Sequence, residues 1–225
     1  IDDFSVIVDC GSDALIKLAI EALSVVGDSI AAITPSFPMY GVYTKLQRRD
    51  FQEFGGDANY ILDHGYLKLN IEYLLNSIDA TKPRILFFSN PSSPFGGYYT
   101  STEITRIAER LDKHSGILVL DEAYIEFCTA CNKPEFKLSE YDGDNVIILR
   151  TMSKAIGIAG LRVGYAFGPK NIIDTLRMHQ LTFPISGPSI SFTEFLFENY
   201  SQVTKYIQST IESREYILQL LEKKG

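Results

Sequence analysis

Short apolar runs alternate along the chain with longer stretches in which apolar and polar residues are mixed at helical spacing. Four runs are continuously apolar and predict strands, at residues 29–33, 84–88, 116–120 and 146–149. Because their apolar residues do not alternate with polar ones, we expect strands covered on both faces of a sheet. Three stretches with helical spacing predict helices, at residues 13–26, 70–77 and 101–114.

The third predicted helix has a clear apolar face and a candidate cap. Ser101 or Thr102 could cap its first turn, and the apolar face consists of Ile104, Ile107, Ala108 and Leu111. Strands and helices that alternate in this way indicate an α/β fold with a mainly parallel sheet.

Polar residues follow three of the predicted strands at the point where each strand ends. Asn90 follows the second strand, Asp121 the third, and Ser153 and Lys154 the fourth. Ligands of open parallel sheets bind at the carboxyl ends of the strands. The sequence therefore predicts one functional site at that edge of the sheet.

From Ser189 onward the pattern is helical, with a break near residues 199–201. We expect residues 1–198 to form one large domain and residues 199–225 a helix leading into a second, smaller domain. The apolar face of that helix needs a partner, and a helical interaction arm is the alternative interpretation. We also expect this chain, which begins at Ile1, to be an interior piece of a longer one.

Composition and charge exclude several classes of function. The formal net charge is −7 and no basic stripe is visible, so we expect no nucleic-acid partner. No apolar run is long enough to cross a bilayer, so we expect no membrane partner. The three cysteines are typical of a reducing cytoplasm. Cys128 and Cys131 have the spacing of half a zinc site, but with no second pair we interpret them as loop thiols and expect no metal.

Lys154 is the candidate nucleophile. It directly follows an apolar strand among small polar residues, where a partly desolvated amine can be neutral and reactive. Taken alone it would be a surface lysine. The fixed cation Arg162 follows in a Gly-Leu-Arg segment and suits a phosphate, to which Thr151 and Ser153 could add hydroxyl donors.

Asp121 ends an apolar strand, where a carboxylate is costly unless it meets a cation. The pyridinium nitrogen of pyridoxal phosphate is such a cation, and its protonation lets the ring take up electrons from a substrate. Tyr124, three residues on, could donate to the phenolic oxygen of that ring. Metal binding by Asp121 and Glu122 is the competing use, although none of the three histidines is near.

Two further segments are weaker candidates. Ser12 and Asp13 open the first helix, where free backbone N–H groups could hold the cofactor phosphate, although both residue types are also common helix caps. Asn90 begins a turn with two prolines and a glycine and could direct its amide into the site, although a plain turn is the alternative.

Taken together, these segments resemble the fold-type-I aminotransferases, and most closely the histidinol-phosphate aminotransferases. The resemblance covers nearly the whole chain, in order and spacing. The matching strings lie at residues 11–13, 35–40, 90–96, 121–127, 150–164 and 183–186. Ser92 and Ser93 stand where the family commonly has two asparagines.

The resemblance implies the major domain of the pyridoxal-phosphate-dependent transferases, a three-layer αβα structure, with a small domain and an N-terminal arm outside this chain. Lys154 would bind the cofactor covalently and then move the substrate proton. Asp121 would pair with the ring nitrogen, Tyr124 and Asn90 would hold the ring oxygen, and Phe37 would stack on the ring. The implied phosphate ligands are Ser12, Asp13, Thr151, Ser153 and Arg162.

The expected function is that of a cytoplasmic, homodimeric, biosynthetic aminotransferase. It would move an amino group between an amino acid or amino-phosphate and a 2-oxo acid. A decarboxylase of the threonine-phosphate type is an alternative, because both reactions use the same lysine and aspartate. A non-catalytic, aminotransferase-like sensor domain of a transcription regulator is another, although the intact set of Lys154, Asp121, Tyr124 and Arg162 argues against decay of the site.

Overall fold

A computed structural model of the chain describes residues 4–63 and 65–223. His64 and the predicted domain ends at residues 1 and 225 lie outside the described residues. The strands, in chain order, are β1 (Phe4–Asp9), β2 (Ser29–Thr34), β3 (Asp50–Gly55), β4 (Tyr60–Asp63), β5 (Tyr66–Leu69), β6 (Ile85–Ser89), β7 (Ile117–Asp121), β8 (Val146–Thr151) and β9 (Gly164–Pro169).

Most of these strands form one mainly parallel sheet. Its order is β1-β9-β8-β7-β6-β2-β3, and β4 and β5 form a separate hairpin. The five strands from β8 to β3 are parallel to one another, whereas β9 runs antiparallel to both of its neighbours, β8 and the edge strand β1. The mainly parallel sheet predicted from the continuous apolar runs is confirmed.

Helices cover both faces of the sheet. They are α1 (Gly11–Leu23), α2 (Met39–Leu46), α3 (Ile71–Thr81), α4 (Ser101–Asp112), α5 (Ile125–Ala130), α6 (Lys170–His179), α7 (Gly187–Glu198) and α8 (Tyr200–Glu222). The core has two main parts. Apolar side chains of α1, α2 and α6 pack on one face of the sheet, and those of α3 and α4 pack on the other. This is the predicted three-layer αβα arrangement.

The predicted helix at residues 101–114 exists, but its predicted cap is wrong. Thr100 is the N-cap, because its side chain accepts a hydrogen bond from Glu103 N–H while the Glu103 carboxylate accepts one from Thr100 N–H. This reciprocal pair satisfies two backbone donors at once, which a hydroxyl at Ser101 or Thr102 cannot do from inside the first turn. Ile104, Ile107, Ala108 and Leu111 form its buried face, as predicted.

Two predictions about the C-terminal half have different outcomes. The break near residues 199–201 is confirmed, since α7 ends and α8 begins on either side of Asn199. The interpretation of Cys128 and Cys131 as loop thiols is wrong in one respect: both are free thiols, but Cys128 lies in α5, and Cys131 follows that helix as its C-cap.

Within residues 4–63 and 65–223, no helix combines the length and apolarity that a membrane span requires.

Candidate active site

A cavity of about 330 Å³ opens at the carboxyl ends of the central strands. Nine of the ten residues predicted for the site line it: Ser12, Asp13, Phe37, Asp121, Tyr124, Thr151, Ser153, Lys154 and Arg162. They come from the end of β7, the end of β8, the start of α1, the segment before α2 and the segment before β9. Parallel strands bring these distant segments of the chain together at one edge of the sheet.

Asp121 is the last residue of β7 and is 5% exposed. Its Oδ1 accepts a hydrogen bond from Ala123 N–H at 3.0 Å, and its Oδ2 accepts one from the Tyr40 hydroxyl at 2.6 Å. Burial raises the pKa of Asp121, while the bond from Tyr40, the bond from Ala123 and the nearby charge of Lys154 oppose that rise. A carboxylate held in this way is suited to pair with a cation inside the cavity.

Lys154 follows β8, and its Nζ lies 5.6 Å from the centroid of the Tyr124 ring. Both side chains line the cavity together with Asp121. The Lys154 side chain is more exposed than its position after an apolar strand led us to expect, although it lines the cavity. The arrangement places an amine, a phenol and a carboxylate around one space.

The first turn of α1 faces a guanidinium group. Arg162 Nη2 lies 3.5 Å from the Cys10 carbonyl oxygen, and Nη1 lies 3.5 Å from Ser153 Oγ. A Cβ atom on Gly11 would lie 2.5 Å from Arg162 Nη2 and would push the guanidinium aside, and the φ of +81° at Gly11 also favours glycine. Gly164 likewise allows β9 to pass the Ser12 backbone nitrogen, which an added Cβ would meet at 2.2 Å.

This corner of the cavity has the donors of an anion site. The first N–H groups of a helix have no partner within the helix, and the helix dipole favours negative charge there. Arg162 adds a fixed positive charge, and the hydroxyl groups of Ser12, Thr151 and Ser153 surround the same space. An anion with several oxygens, such as a phosphate, suits this set of donors.

Asp13 takes part differently from its hydroxyl-bearing neighbours. Its Oδ2 accepts a hydrogen bond from the Tyr43 hydroxyl at 2.8 Å, while its Oδ1 is buried with no partner among the described residues. A carboxylate repels a phosphate, so Asp13 could bind one only through its backbone N–H. Tyr43 holds the side chain in place on the flank of α2.

Asn90 is the predicted residue that the structure does not bring into the cavity lining. It is 1% exposed, its Nδ2 donates to the Tyr99 carbonyl oxygen at 3.0 Å, and its Oδ1 accepts from Tyr99 N–H at 2.8 Å. This reciprocal pair closes the turn that follows β6. The amide has a second N–H, through which Asn90 could still donate toward the site.

A buried ion pair lies directly behind the cavity edge. Arg150 of β8 donates through Nε and Nη2 to one oxygen of Glu122, at 2.9 Å and 2.8 Å, and Nη2 also contacts Glu135 at 2.7 Å. Burial raises the pKa of Glu122 to about 7, although Arg150 opposes the rise. Arg150 and Glu122 join the ends of β7 and β8, which carry Asp121 and Lys154. Within the described residues no three histidine, cysteine or acidic side chains group as metal ligands.

Sequence reasoning missed several residues of the lining: Met39, Tyr40, Ser89, Ser93 and Ala123. Tyr40 matters most, because it contacts Asp121 directly. It belongs to the segment 35–40 that carried part of the family resemblance, but nothing in its local pattern shows that its hydroxyl meets a carboxylate 81 positions away.

Comparison with known proteins gives a consistent result. Residues 3–225 match the family described as aminotransferase class I and II. The chain is 31% identical over 223 residues to a histidinol-phosphate aminotransferase of Clostridium novyi (strain NT), and this match covers 99% of the chain and 59% of that relative. The chain thus spans about three fifths of the length of that protein.

Solved structures share the fold. A histidinol-phosphate aminotransferase from Sinorhizobium meliloti, in complex with pyridoxal-5'-phosphate, superposes with a TM-score of 0.81 at 20% identity, over 94% of this chain and 55% of that one. A putative histidinol-phosphate aminotransferase from Erwinia carotovora atroseptica SCRI1043 gives a TM-score of 0.84 at 23% identity, over 97% and 62%. These likenesses confirm the fold class expected from the sequence.

Proposed function

The chain belongs to the aminotransferase class I and II family, and from this we propose that it forms the cofactor-binding part of a pyridoxal-phosphate-dependent aminotransferase. The proposed enzyme resembles the histidinol-phosphate aminotransferases and moves an amino group between an amino acid or amino-phosphate and a 2-oxo acid. One observation carries the proposal: Lys154, Asp121 and Arg162, from three separate segments, line a single cavity.

The residues present fit the cofactor. Its phosphate matches the anion site formed by the start of α1, Thr151, Ser153 and Arg162, where Gly11 leaves room for the guanidinium. Its ring nitrogen matches Asp121, a buried carboxylate in need of a cation. Its aldehyde matches the only kind of side chain that binds it reversibly through nitrogen, the amine of Lys154. The proposed site thus offers a matching group to each of three parts of the cofactor: its phosphate, its ring nitrogen and its aldehyde.

Each residue has a proposed task. When bound, the cofactor supplies a sink for the electrons left on the substrate carbon. Asp121 holds a proton on the ring nitrogen, and the Tyr124 hydroxyl donates to the ring oxygen, with Asn90 contributing through its second amide N–H. The Nζ of Lys154, free once the substrate amine has taken its place, would accept the proton from the substrate carbon and return it to the cofactor carbon that had carried the aldehyde. Phe37, which is 41% exposed at the mouth of the cavity, covers one face of the ring.

The proposal extends to the setting of the site. We propose a homodimer in a reducing, cytoplasmic environment, in which residues 1–198 form the large domain and residues 199–225 lead into a smaller one. The three cysteines are free thiols, which supports the reducing environment. Exposed aromatic side chains on α7, among them Phe192, Phe195 and Phe197, support a partner surface there. Because the chain spans about three fifths of the length of the relative described above, we propose that these 225 residues alone transaminate less well than a protein of the relative's full length.

Covalent labelling tests the proposal. The chain loaded with pyridoxal phosphate should show a visible absorption band, and borohydride reduction followed by peptide mapping should place the cofactor on Lys154. Lys154→Ala should lose the band, whereas Lys137→Ala, at an exposed lysine paired with Glu140, should keep it. Label on another lysine would refute the assignment. Release of carbon dioxide in place of a 2-oxo acid in a donor screen would instead indicate a decarboxylase.

A further inference from the structure

The shortest hydrogen bond that the Asp121 side chain makes comes from the hydroxyl of Tyr40. Its Oη donates to Asp121 Oδ2 at 2.6 Å, between α2 and the end of β7. Tyr40 is 1% exposed and Asp121 is 5% exposed, so water does not compete for this bond. A hydrogen bond to a charged acceptor in such surroundings is stronger than one between neutral groups.

The ring of Tyr40 is fixed on two sides. It stacks on Phe87 of β6 with centroids 4.9 Å apart and planes within 7°. On the cavity side it meets the edge of Phe37, at 5.7 Å and 84°. Packing therefore decides where the hydroxyl lies, and the carboxylate has to meet it there. Tyr40 supports both the carboxylate and the aromatic ring at the mouth of the cavity.

The second donor to Asp121 completes the arrangement. Ala123 N–H binds Oδ1 at 3.0 Å, so each carboxylate oxygen has one donor and keeps one side available to the cavity. Two donors on opposite oxygens leave the carboxylate a single orientation. Burial alone would favour the neutral acid, and the donors favour the ion.

We propose that Tyr40 is a positioning residue for Asp121: its hydroxyl keeps the carboxylate ionised and turned toward the cavity, ready to hold a protonated ring nitrogen. The role toward a ring nitrogen rests on the proposed function. The positioning of the carboxylate rests only on the contacts of Tyr40. Without that hydroxyl, the Asp121 carboxylate becomes the stronger base and draws the shared proton toward itself. The ring nitrogen then loses positive charge, and the electron sink weakens.

The groups that face Asp121 set the expected pH behaviour. They are Tyr40 from α2, the Ala123 backbone N–H, and the charge of Lys154 after β8; Tyr124 lies close to Tyr40. Burial is the main cause that raises the pKa of Asp121, and Tyr40 is the main group that lowers it. Loss of the Tyr40 hydroxyl should therefore move the titration of Asp121 to higher pH.

The chain offers a matched control on the same helix. Tyr43 makes the same kind of bond, from its hydroxyl to Asp13 Oδ2 at 2.8 Å, three residues along α2. Tyr43→Phe removes one hydroxyl from the same helix and leaves Asp121 untouched. A difference between Tyr40→Phe and Tyr43→Phe therefore reports the bond to Asp121 and not a general effect on α2.

The first experiment needs no cofactor. The carboxyl carbon of Asp121, assigned through Asp121→Asn, is followed by NMR as a function of pH in the free chain. Titration should move to higher pH in Tyr40→Phe and stay in place in Tyr43→Phe. In the unaltered chain, the Tyr40 hydroxyl proton should shift together with that titration, which gives a reading even if Tyr40→Phe does not fold. Identical Asp121 titration in the wild type and Tyr40→Phe, or a hydroxyl proton indifferent to it, would overturn the proposal.

The second experiment uses pyridoxal phosphate as the probe. Tyr40→Phe should weaken its binding by up to about ten-fold, because the carboxylate that pairs with the ring nitrogen would be held less firmly in its ionised form. In the Asp121→Asn background the same change should add nothing, because Tyr40 acts through the carboxylate. Additive losses would contradict the proposal. A wild-type chain that takes up no pyridoxal phosphate would refute the proposed function, and the cofactor-free titration would still decide the role of Tyr40.

Discussion

The carboxyl edge of the sheet and the C-terminal helices are built in opposite ways. At the sheet edge, Asp121 and Glu122 are charged residues within the core, and each is held by a partner: Tyr40 for the first and Arg150 for the second. On α7 and α8, large apolar side chains are exposed to solvent. Of the apolar residues of α8, only Val203 and Ile207 are buried. The carboxylates of the first region each have a charged or hydrogen-bonding partner within the fold, although Glu122 Oε1 has none among the described residues, whereas the apolar side chains of the second region face solvent.

The contact between the two regions is narrow. Val203 and Ile207 of α8 pack against Ala155, the residue after Lys154, and Phe127 of α5 joins them. Beyond this patch, Tyr216, Ile217 and Leu221 are more than half exposed. The polar groups at the sheet edge are therefore stabilised by partners within the fold. We expect α7 and α8 to contribute little to the free energy of unfolding. Stability should respond strongly to changes at the edge and weakly to changes on the helices.

The largest effect should come from breaking the buried ion pair. Arg150→Met leaves Glu122, whose side chain is 0% exposed, without its guanidinium. Such a loss should lower the free energy of unfolding by about 3–5 kcal/mol at pH 8, and by less at pH 5, where Glu122 can take up a proton. Urea unfolding at the two pH values measures this. Arg106→Met, which breaks an exposed pair with Glu72, should unfold close to wild type; equal losses in both variants would contradict the comparison.

The next largest difference between the two regions should appear when a leucine in each is replaced by alanine. Leu118 of β7 is fully buried among side chains of α3 and α4, so Leu118→Ala should cost about 2–5 kcal/mol through lost contacts and a cavity. Leu221 on α8 is 61% exposed, and Leu221→Ala should change stability by about 0.5 kcal/mol or less. Thermal and urea unfolding of the two variants would test this. Similar losses would mean that α8 is packed in solution.

Glu122 at the sheet edge should make the free energy of unfolding depend on pH. Burial raises the pKa of Glu122 to about 7, so the folded protein binds this proton more tightly than the unfolded chain does. The free energy of unfolding should therefore fall as the pH rises from the ordinary glutamate range through about 7, by up to about 3 kcal/mol. Glu122→Gln should flatten this fall, whereas Glu109→Gln, at an exposed glutamate of α4, should leave it intact. An unchanged slope in Glu122→Gln would sink the assignment.

The smallest effect on the monomer should come from the exposed aromatic face. Phe195 of α7 is 54% exposed, so Phe195→Ser should alter monomer stability by no more than about 0.5 kcal/mol. Sedimentation should nevertheless shift toward the monomer if this face meets a second copy, as proposed. Thr204→Ser on α8 removes no large apolar group and serves as the control. Unchanged association in Phe195→Ser would remove this face from the proposed dimer surface.

The local pattern determined much of this protein. Four continuous apolar runs predicted the central parallel strands, because a strand covered on both faces has no polar side to show. The same runs located Asp121, Ser153 and Lys154 at strand ends, and those residues line the cavity. The strands beyond β8 were harder to predict: in the edge strand β1 and its neighbour β9, buried positions alternate with more exposed ones, so their residues carry a weaker apolar signal.

Only the tertiary structure decided how the site is finished. The Tyr40 hydroxyl donates to Asp121 across 81 positions, the Tyr43 hydroxyl donates to the Asp13 carboxylate, and Asn90 exchanges two hydrogen bonds with the backbone of Tyr99. A single sequence records which residues are polar and where strands end, because burial acts on local pattern. It does not record which polar atoms meet, because hydrogen-bond partners depend on distances of a few ångström between segments that only packing brings together.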